Sequence, residues 1–315
     1  MIKKSDKIYI AGHRGMVGSA CWRTLEAEGY SNLIGKSSKE LDLRDQKAVE
    51  EFIRIEQPVA IIDAAAKVGG ILANDTYPYE FLMDNMLIQN NLIRSAHEND
   101  VPKFIFLGSS CIYPKFARQP LKEEYLLTDS LEPTNEWYAI AKISGVKLIQ
   151  ALRKEYGREY VSLMPTNLYG PNDNFDLKSS HVLPAMIRKF HEAKLNGNSP
   201  VELWGSGSPM REFLHVDDLG QAVLFSLENE LKDHLYNVGT GVDLTINELA
   251  EIIQTKVEHR GEIVWDRTKP DGTPRKLMEV SKLLKEGWKA KIDLELGISQ
   301  VYAWFLDNSS VLRKI

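Results

Sequence analysis

Two cysteines, Cys21 and Cys111, are all that 315 residues contain, too few for a disulfide framework and without zinc-ligand spacing, so no metal is expected. No apolar run approaches the roughly 18 residues that would cross a bilayer. The opening "MIKKSDKIYIAGHRG" breaks its apolar stretch with glycine, histidine and arginine, which is too short for a secretory core. Cationic excess is also missing: 39 lysines and arginines face 44 acidic residues, a net charge of −5. That balance argues against nucleic acid as a partner. These absences leave a cytoplasmic protein with neither membrane nor nucleic acid to bind. What remains is ordinary globular material, 43% hydrophobic and 26% charged, long enough for two lobes.

The first half alternates two periodicities. Residues 7–12, 32–36, 59–66 and 103–110 read as strands, and 18–29, 45–57, 81–100 and 135–157 as helices. Strands alternating with helices predict βαβ units, hence an α/β fold with a doubly wound parallel sheet of the Rossmann kind. Such a sheet opens a ligand crevice at the carboxyl ends of its strands. After "YGPNDNF" (169–175) turn-rich segments appear, including "LNGNSP" and "WGSGSP". They predict a smaller mixed α/β C-terminal domain. The expected division is 1–170 and 171–315. Within the second part, a helix at 215–229 and a strand at 235–239 are expected to return residues of about 213–241 to the first.

The segment "IAGHRGMVGSA" sets Gly12, Gly15 and Gly18 three apart between the first strand and first helix. Glycines there allow a tight turn and close approach of backbone to a pyrophosphate at a helix N-terminus. An NAD site usually ends its second strand in an acidic residue that binds the ribose. Here that strand runs into Lys36-Ser37-Ser38-Lys39, with Glu40 near the usual offset. Lys36, Ser38 and the loop's Arg14 suit a 2′-phosphate, which favours NADP(H) over NAD.

"LGSSCIYPK" (107–115) follows an apolar run directly. In extended chain Ser109 and Cys111 point the same way, into a common pocket past the strand end. By itself Cys111 reads as a small buried hydrophobe, as most free cysteines are. In the 135–157 helix, Tyr138 and Lys142 are four apart and share a face; no other of the twelve tyrosines has lysine at that spacing. An ammonium beside a phenol is expected to lower its pKa, fitting it to exchange a proton with a carbonyl oxygen.

With "GHRGMVGSA", "AAAKVGGI", "LGSSCIYPK", "YAIAK", "PTNLYGPNDNF", "SSHVLPA", "WGSGSPMREFLHVDD" and "DGTPRKLMEV" in place, the chain resembles the extended short-chain dehydrogenase/reductases. The resemblance runs from residue 12 to residue 280. Among them it is most similar to those that epimerise carbons 3 and 5 and reduce carbon 4 of GDP-4-keto-6-deoxy-D-mannose. The resemblance implies that Ser109, Tyr138 and Lys142 form a reductase triad, and that Cys111 and His181 are epimerase base and acid. It implies that NADP(H) is lined by Gly12, His13, Arg14, Gly15, Met16, Val17 and Gly18, by Lys36 and Ser38, by Leu107, Gly108, Ser109 and Ser110, by Tyr138 and Lys142, by Pro165, Thr166, Asn167 and Leu168, and by His181. Lys189, Trp204, Arg211 and Asp271 match positions that contact the GDP-sugar substrate. Members of the family form homodimers by pairing two helices per subunit, for which residues 81–100 and 137–155 are the candidates here. Where many of them carry arginine at the second strand's end, this chain has Lys36 and Ser38.

Two alternatives share the fold. A nucleotide-sugar 4-epimerase would keep the triad without needing Cys111 or His181. A non-catalytic NADP-sensing protein would have no need to keep both Tyr138 and Lys142. A 4-keto sugar has acidified C–H bonds on both sides of its carbonyl, so one oxyanion site can serve epimerisation and reduction. Inversion needs a base and an acid on opposite faces, and a thiolate and an imidazole suit those tasks near neutrality.

Overall fold

The computed structural model describes residues 2–177, 179–269 and 271–309. Its first lobe grows from short apolar strands. The run Ile8–Ala11 forms β1, every residue buried, and is followed by α1 (Met16–Ala27), β2 (Leu33–Ile34), α2 (Gln46–Glu56) and β3 (Ala60–Asp63). Next come α3 (Ile71–Thr76), α4 (Pro78–Glu98), β4 (Lys103–Leu107), α5 (Glu136–Tyr156) and β5 (Glu159–Pro165). Asp45 caps α2, its side chain accepting from the N–H groups of Lys47 and Ala48, and Gly157 ends α5 in the left-handed region.

The chain continues through β6 (Asn167–Tyr169), α6 (Val182–Leu195), β7 (Val201–Trp204), β8 (Met210–His215), α7 (Val216–Glu228), β9 (Leu235–Val238) and β10 (Asp243–Thr245), most of which build the second lobe. It closes with α8 (Ile246–Val257), β11 (Ile263–Asp266), β12 (Arg275–Lys276), α9 (Ser281–Glu286) and α10 (Leu294–Asn308). Strands β6, β8, β10 and β12 make one sheet and β7 pairs with β11. Phe190, Ile253 and Phe305 lie in their common core.

Six parallel strands in the order β2-β1-β3-β4-β5-β9 build the main sheet, the doubly wound Rossmann-like arrangement expected. Alternate residues divide between its faces. Ile8, Ile10, Ala60, Ile62 and Ile105 pack with Cys21 and Leu25 of α1 and Leu219, Ala222 and Val223 of α7. Tyr9, Ile61, Phe104 and Phe106 pack with Val49, Leu92 and Val146 of α2, α4 and α5. Residues 216–238 therefore return to this sheet, α7 against α1 and β9 against β5. The expected strand at 32–36 shrinks to two residues, and just past it Gly35 approaches His13 so closely that a Cβ there would strike the imidazole. Among the described residues no helix is long and apolar enough to cross a membrane.

Glu212 of β8, fully buried, latches the segments together. Its carboxylate accepts from the backbone N–H of Thr240 at 2.6 Å, Gly241 at 2.7 Å and Met278 at 2.8 Å. Its own carbonyl accepts from Asn167 Nδ2 at 2.8 Å. Glu212→Ala strands those N–H donors, each worth roughly 1–3 kcal/mol when buried unpaired. The expected outcome is a loss of about 3 kcal/mol or more in urea unfolding; an unchanged midpoint would show that the latch carries no stability.

Candidate active site

The carboxyl ends of β1, β3, β4 and β5 converge on one crevice. After β1 the chain turns at Gly12, whose φ of 76° favours glycine and whose Cβ would lie 2.7 Å from the Ala64 carbonyl oxygen. A Cβ at Gly18 would collide with the Gly12 carbonyl. Loop and helix thus meet with no side chain between them, and α1 begins at Met16 and Val17 with Gly15 as its cap and no side chain capping it. That leaves first-turn N–H groups directed at the crevice. His13 Nδ1 is buried with no protein partner, and burial lowers the pKa of the ring. A bare, glycine-lined helix start is what a dinucleotide pyrophosphate requires, so these residues fit NADP(H).

Lys36 and Ser38 follow β2 beside this loop. Glu40 is engaged by Ser37, accepting from both its N–H and Oγ, and this holds its carboxyl below the usual range. Lys36 and Arg14 add positive charge around the same carboxylate. The one acidic group near the expected ribose position is therefore turned onto its own loop.

Past β4 the geometry differs from the extended chain expected at 107–111. Ser109 caps a 3₁₀ turn over Ser110–Ile112, its Oγ accepting from the Cys111 N–H at 3.3 Å. Ser109 and Cys111 still meet, through the turn, and the Ser109 side chain also favours the ionised form of the Cys111 thiol. Gly108 is tied to the Leu163 carbonyl of β5 at 2.9 Å. Beyond β5, the Thr166 N–H reaches the Val238 carbonyl at 3.0 Å, so Pro165 and Thr166 lie at the carboxyl end of β5 beside β9, while Asn167 and Leu168 pass at once into β6 against β8.

Helix α5 supplies Tyr138 and Lys142 one turn apart. The Lys142 ammonium is buried, donates to the Leu107 carbonyl at 2.9 Å and lies 4.7 Å from the centre of the Phe106 ring. It sits 5.9 Å from the centre of the Tyr138 ring. The lowered phenol pKa expected from the sequence does not appear. Burial, and then the negative charges of Cys111 and Asp63, push Tyr138 upward instead. Tyr138 is held as a protonated donor. Burial likewise lowers Lys142, opposed by Asp63 and Cys111.

His181 stands at the start of α6, exposed to the cleft. Its loop approaches the segment after β3: a Cβ at Gly70 would lie 3.5 Å from the Ser179 carbonyl. The protein around the ring, and then the charge on Lys276, lower its pKa. Burial raises the Cys111 thiol, opposed first by Lys276, then by Ser109 and Lys142. So before substrate arrives the favoured pair is thiol and neutral imidazole.

Lys276 was invisible in the sequence, lying on a two-residue strand without periodicity. In β12 it stands opposite Arg211 of β8 and is electrostatically linked to Arg211, Cys111 and His181. Arg211, half-buried, donates to the Met210 carbonyl at 2.8 Å. Asp271 accepts from Ser206 N–H at 2.6 Å and Oγ at 2.8 Å, fixing the loop after β7. On β7 itself Trp204 is 66% exposed, with Lys269 Nζ 5.4 Å from its ring centre, and Lys189 reaches the Glu202 carbonyl at 2.8 Å. These groups form an open, largely cationic rim.

Comparison with known proteins gives a consistent result. The model of the NAD dependent epimerase/dehydratase family matches residues 8–239. A putative GDP-L-fucose synthase 2 of Arabidopsis thaliana is 57% identical over 308 residues, spanning 98% of this chain and 94% of that protein. The GDP-L-fucose synthase of Escherichia coli K12 is 52% identical, spanning 98% and 99%. The crystal structure of a GDP-L-fucose synthetase from Naegleria fowleri bound to NADP superposes with a TM-score of 0.90 at 27% identity, over 100% of this chain and 98% of that one.

Among the charges that act on Cys111, Lys276 most favours the thiolate. Lys276→Met should therefore raise the thiol pKa further. Iodoacetamide alkylation of Cys111 at pH 7.5, followed by mass spectrometry, should slow about tenfold. Wild-type kinetics in the variant would remove Lys276 from this role.

Proposed function

We infer the activity from one premise: the chain belongs to the NAD dependent epimerase/dehydratase family. Within it this protein is an enzyme with GDP-L-fucose synthase activity and uses NADP(H). It converts GDP-4-keto-6-deoxy-D-mannose to GDP-L-fucose by inverting carbons 3 and 5 and reducing carbon 4. The observation that carries this reading is Cys111 in the turn after β4, its N–H bonded to Ser109 Oγ, at the strand end where Lys142 ties Tyr138's helix to the Leu107 carbonyl. A 4-epimerase alone has no use for a thiol at that place, nor a sensor for the paired phenol and ammonium.

NADPH, when bound, supplies the hydride; Gly12 to Gly18, Leu107 to Ser110 and Pro165 to Leu168 would hold it, with Arg14, Lys36 and Ser38 at the 2′-phosphate. Ser109 orients the substrate's ketone oxygen. Tyr138, kept protonated by burial, donates to that oxygen and stabilises the enolate formed when a proton leaves carbon 3 or 5. Cys111, as thiolate, removes the proton, and His181 returns one from the other face. Their apo protonation, thiol and imidazole, carries the same single mobile proton as thiolate and imidazolium. Lys276 favours the thiolate member of that pair. Arg211 and Lys189 meet the substrate's pyrophosphate, and Trp204 offers a face for the base or sugar, beside the loop that Asp271 fixes.

The division of labour proposed is residues 1–170, with about 213–241, for the cofactor and 171–315 for the sugar nucleotide. A cytoplasmic homodimer is the proposed state. Supporting it, Tyr79, Met83 and Leu87 of α4 and Trp137, Ile140 and Leu148 of α5 are exposed on helices that pack side by side. Leu87→Glu with Ile140→Glu should halve the mass seen by light scattering; an unchanged mass would place the interface elsewhere.

The central test is product analysis. Wild-type enzyme with the 4-keto sugar nucleotide should give GDP-L-fucose by NMR, with NADPH at least about tenfold more efficient than NADH, near 1.4 kcal/mol. Cys111→Ser should still oxidise NADPH, since the triad does not need sulfur, but yield an unepimerised 6-deoxyhexose nucleotide with little solvent deuterium. GDP-L-fucose at an undiminished rate from Cys111→Ser would reduce the cysteine to packing.

A further inference from the structure

Asp63 ends β3, in register with Phe106 of β4 and Ala11 of β1, and is fully buried. Two residues after Ile61, it belongs to the sheet face that α4 and α5 cover. Its Oδ1 accepts from the Ala65 N–H at 3.2 Å, and Oδ2 is buried with no hydrogen-bond partner. A buried carboxylate left so poorly satisfied requires a compensating charge. The cation available is Lys142, whose ammonium stands over the ring of Phe106, the residue paired with Asp63 across the sheet. We propose that Asp63 is a positioning residue for ketone reduction, its carboxylate holding the Lys142 ammonium charged and fixed across the strand ends.

Tyr9 of β1 and Tyr138 of α5 both feel Asp63, and Cys111 joins Asp63 in favouring a charged Lys142. Burial raises Asp63 to about 6, opposed by Lys142 and the Ala65 N–H. Above that pH the carboxylate is present and the ammonium has its counter-charge.

The proposal rests on the reductase reading only for its kinetic arm. Lys142 and Tyr138 act in their protonated forms, and Asp63 favours the protonated form of each. Asp63→Asn should then shift the alkaline limb of kcat for NADPH oxidation to lower pH by about one unit or more. A purely structural role would lower kcat at every pH without moving the limb. The second arm needs neither substrate nor cofactor: carboxyl 13C NMR of aspartate-labelled enzyme, with Asp63 assigned as the resonance lost in Asp63→Asn. Its midpoint should lie near 6 and rise in Lys142→Met, which removes the charge that lowers it. An unmoved midpoint in Lys142→Met, or an unmoved alkaline limb in a folded Asp63→Asn, overturns the proposal. If Asp63→Asn does not fold, the resonance displaced by Lys142→Met decides alone. Wild-type enzyme unable to oxidise NADPH with the keto sugar would instead overturn the functional reading, leaving the NMR arm to judge Asp63.

Discussion

The site is organised by one buried cation. An ammonium taken from water into a protein interior is strongly disfavoured unless charge and hydrogen bonds replace its hydration. Lys142 meets that demand at the carboxyl edge of the sheet, with the Leu107 carbonyl at 2.9 Å and the Phe106 ring beneath it. Asp63 supplies negative charge near it, and Cys111 adds to that only when its thiol is ionised. These partners come from β3, from β4 and from the turn after it, so the cation of α5 meets them only when those segments are in place.

The same low-dielectric setting governs the proton carriers. Burial pushes Tyr138 and Cys111 toward their neutral forms, and Lys276 pulls Cys111 back toward thiolate. A phenol that resists ionising is a reliable donor to a developing oxyanion. The thiol must lose its proton to act as a base. The proposed donor and the proposed base thus differ in their electrostatic neighbours: Asp63 acts on Tyr138, whereas Lys276 and Lys142 act on Cys111.

Lys276 also connects the two lobes chemically. It belongs to a short strand of the second sheet yet acts on Cys111 of the first, and it lies opposite Arg211 on the proposed pyrophosphate rim. Glu212, next to Arg211, anchors β8 to the loop after β9 and to Met278. Arg211 and Lys276 are therefore carried on strands pinned by one buried carboxylate, which sets the rim at a fixed distance from the proton-transfer groups.

Local signals in the sequence were enough for the alternation of strands and helices, the glycine loop, and the shared face of Tyr138 and Lys142. Each depends on neighbours within a few residues: two-residue alternation, a tight turn, one helical turn. The pairing of Ser109 with Cys111 was legible too, although a 3₁₀ turn and not extended chain achieves it. Tertiary structure alone decided the rest. Asp63 is an ordinary strand-end aspartate until burial beside Lys142 gives it a counter-ion. Lys276 is one of 39 basic residues until β12 brings it, from 165 positions away in number, to Cys111. The sign of the Tyr138 shift depended on the same thing. Electrostatic influence is set by distance through a medium of low dielectric, and no spacing along the chain encodes that distance.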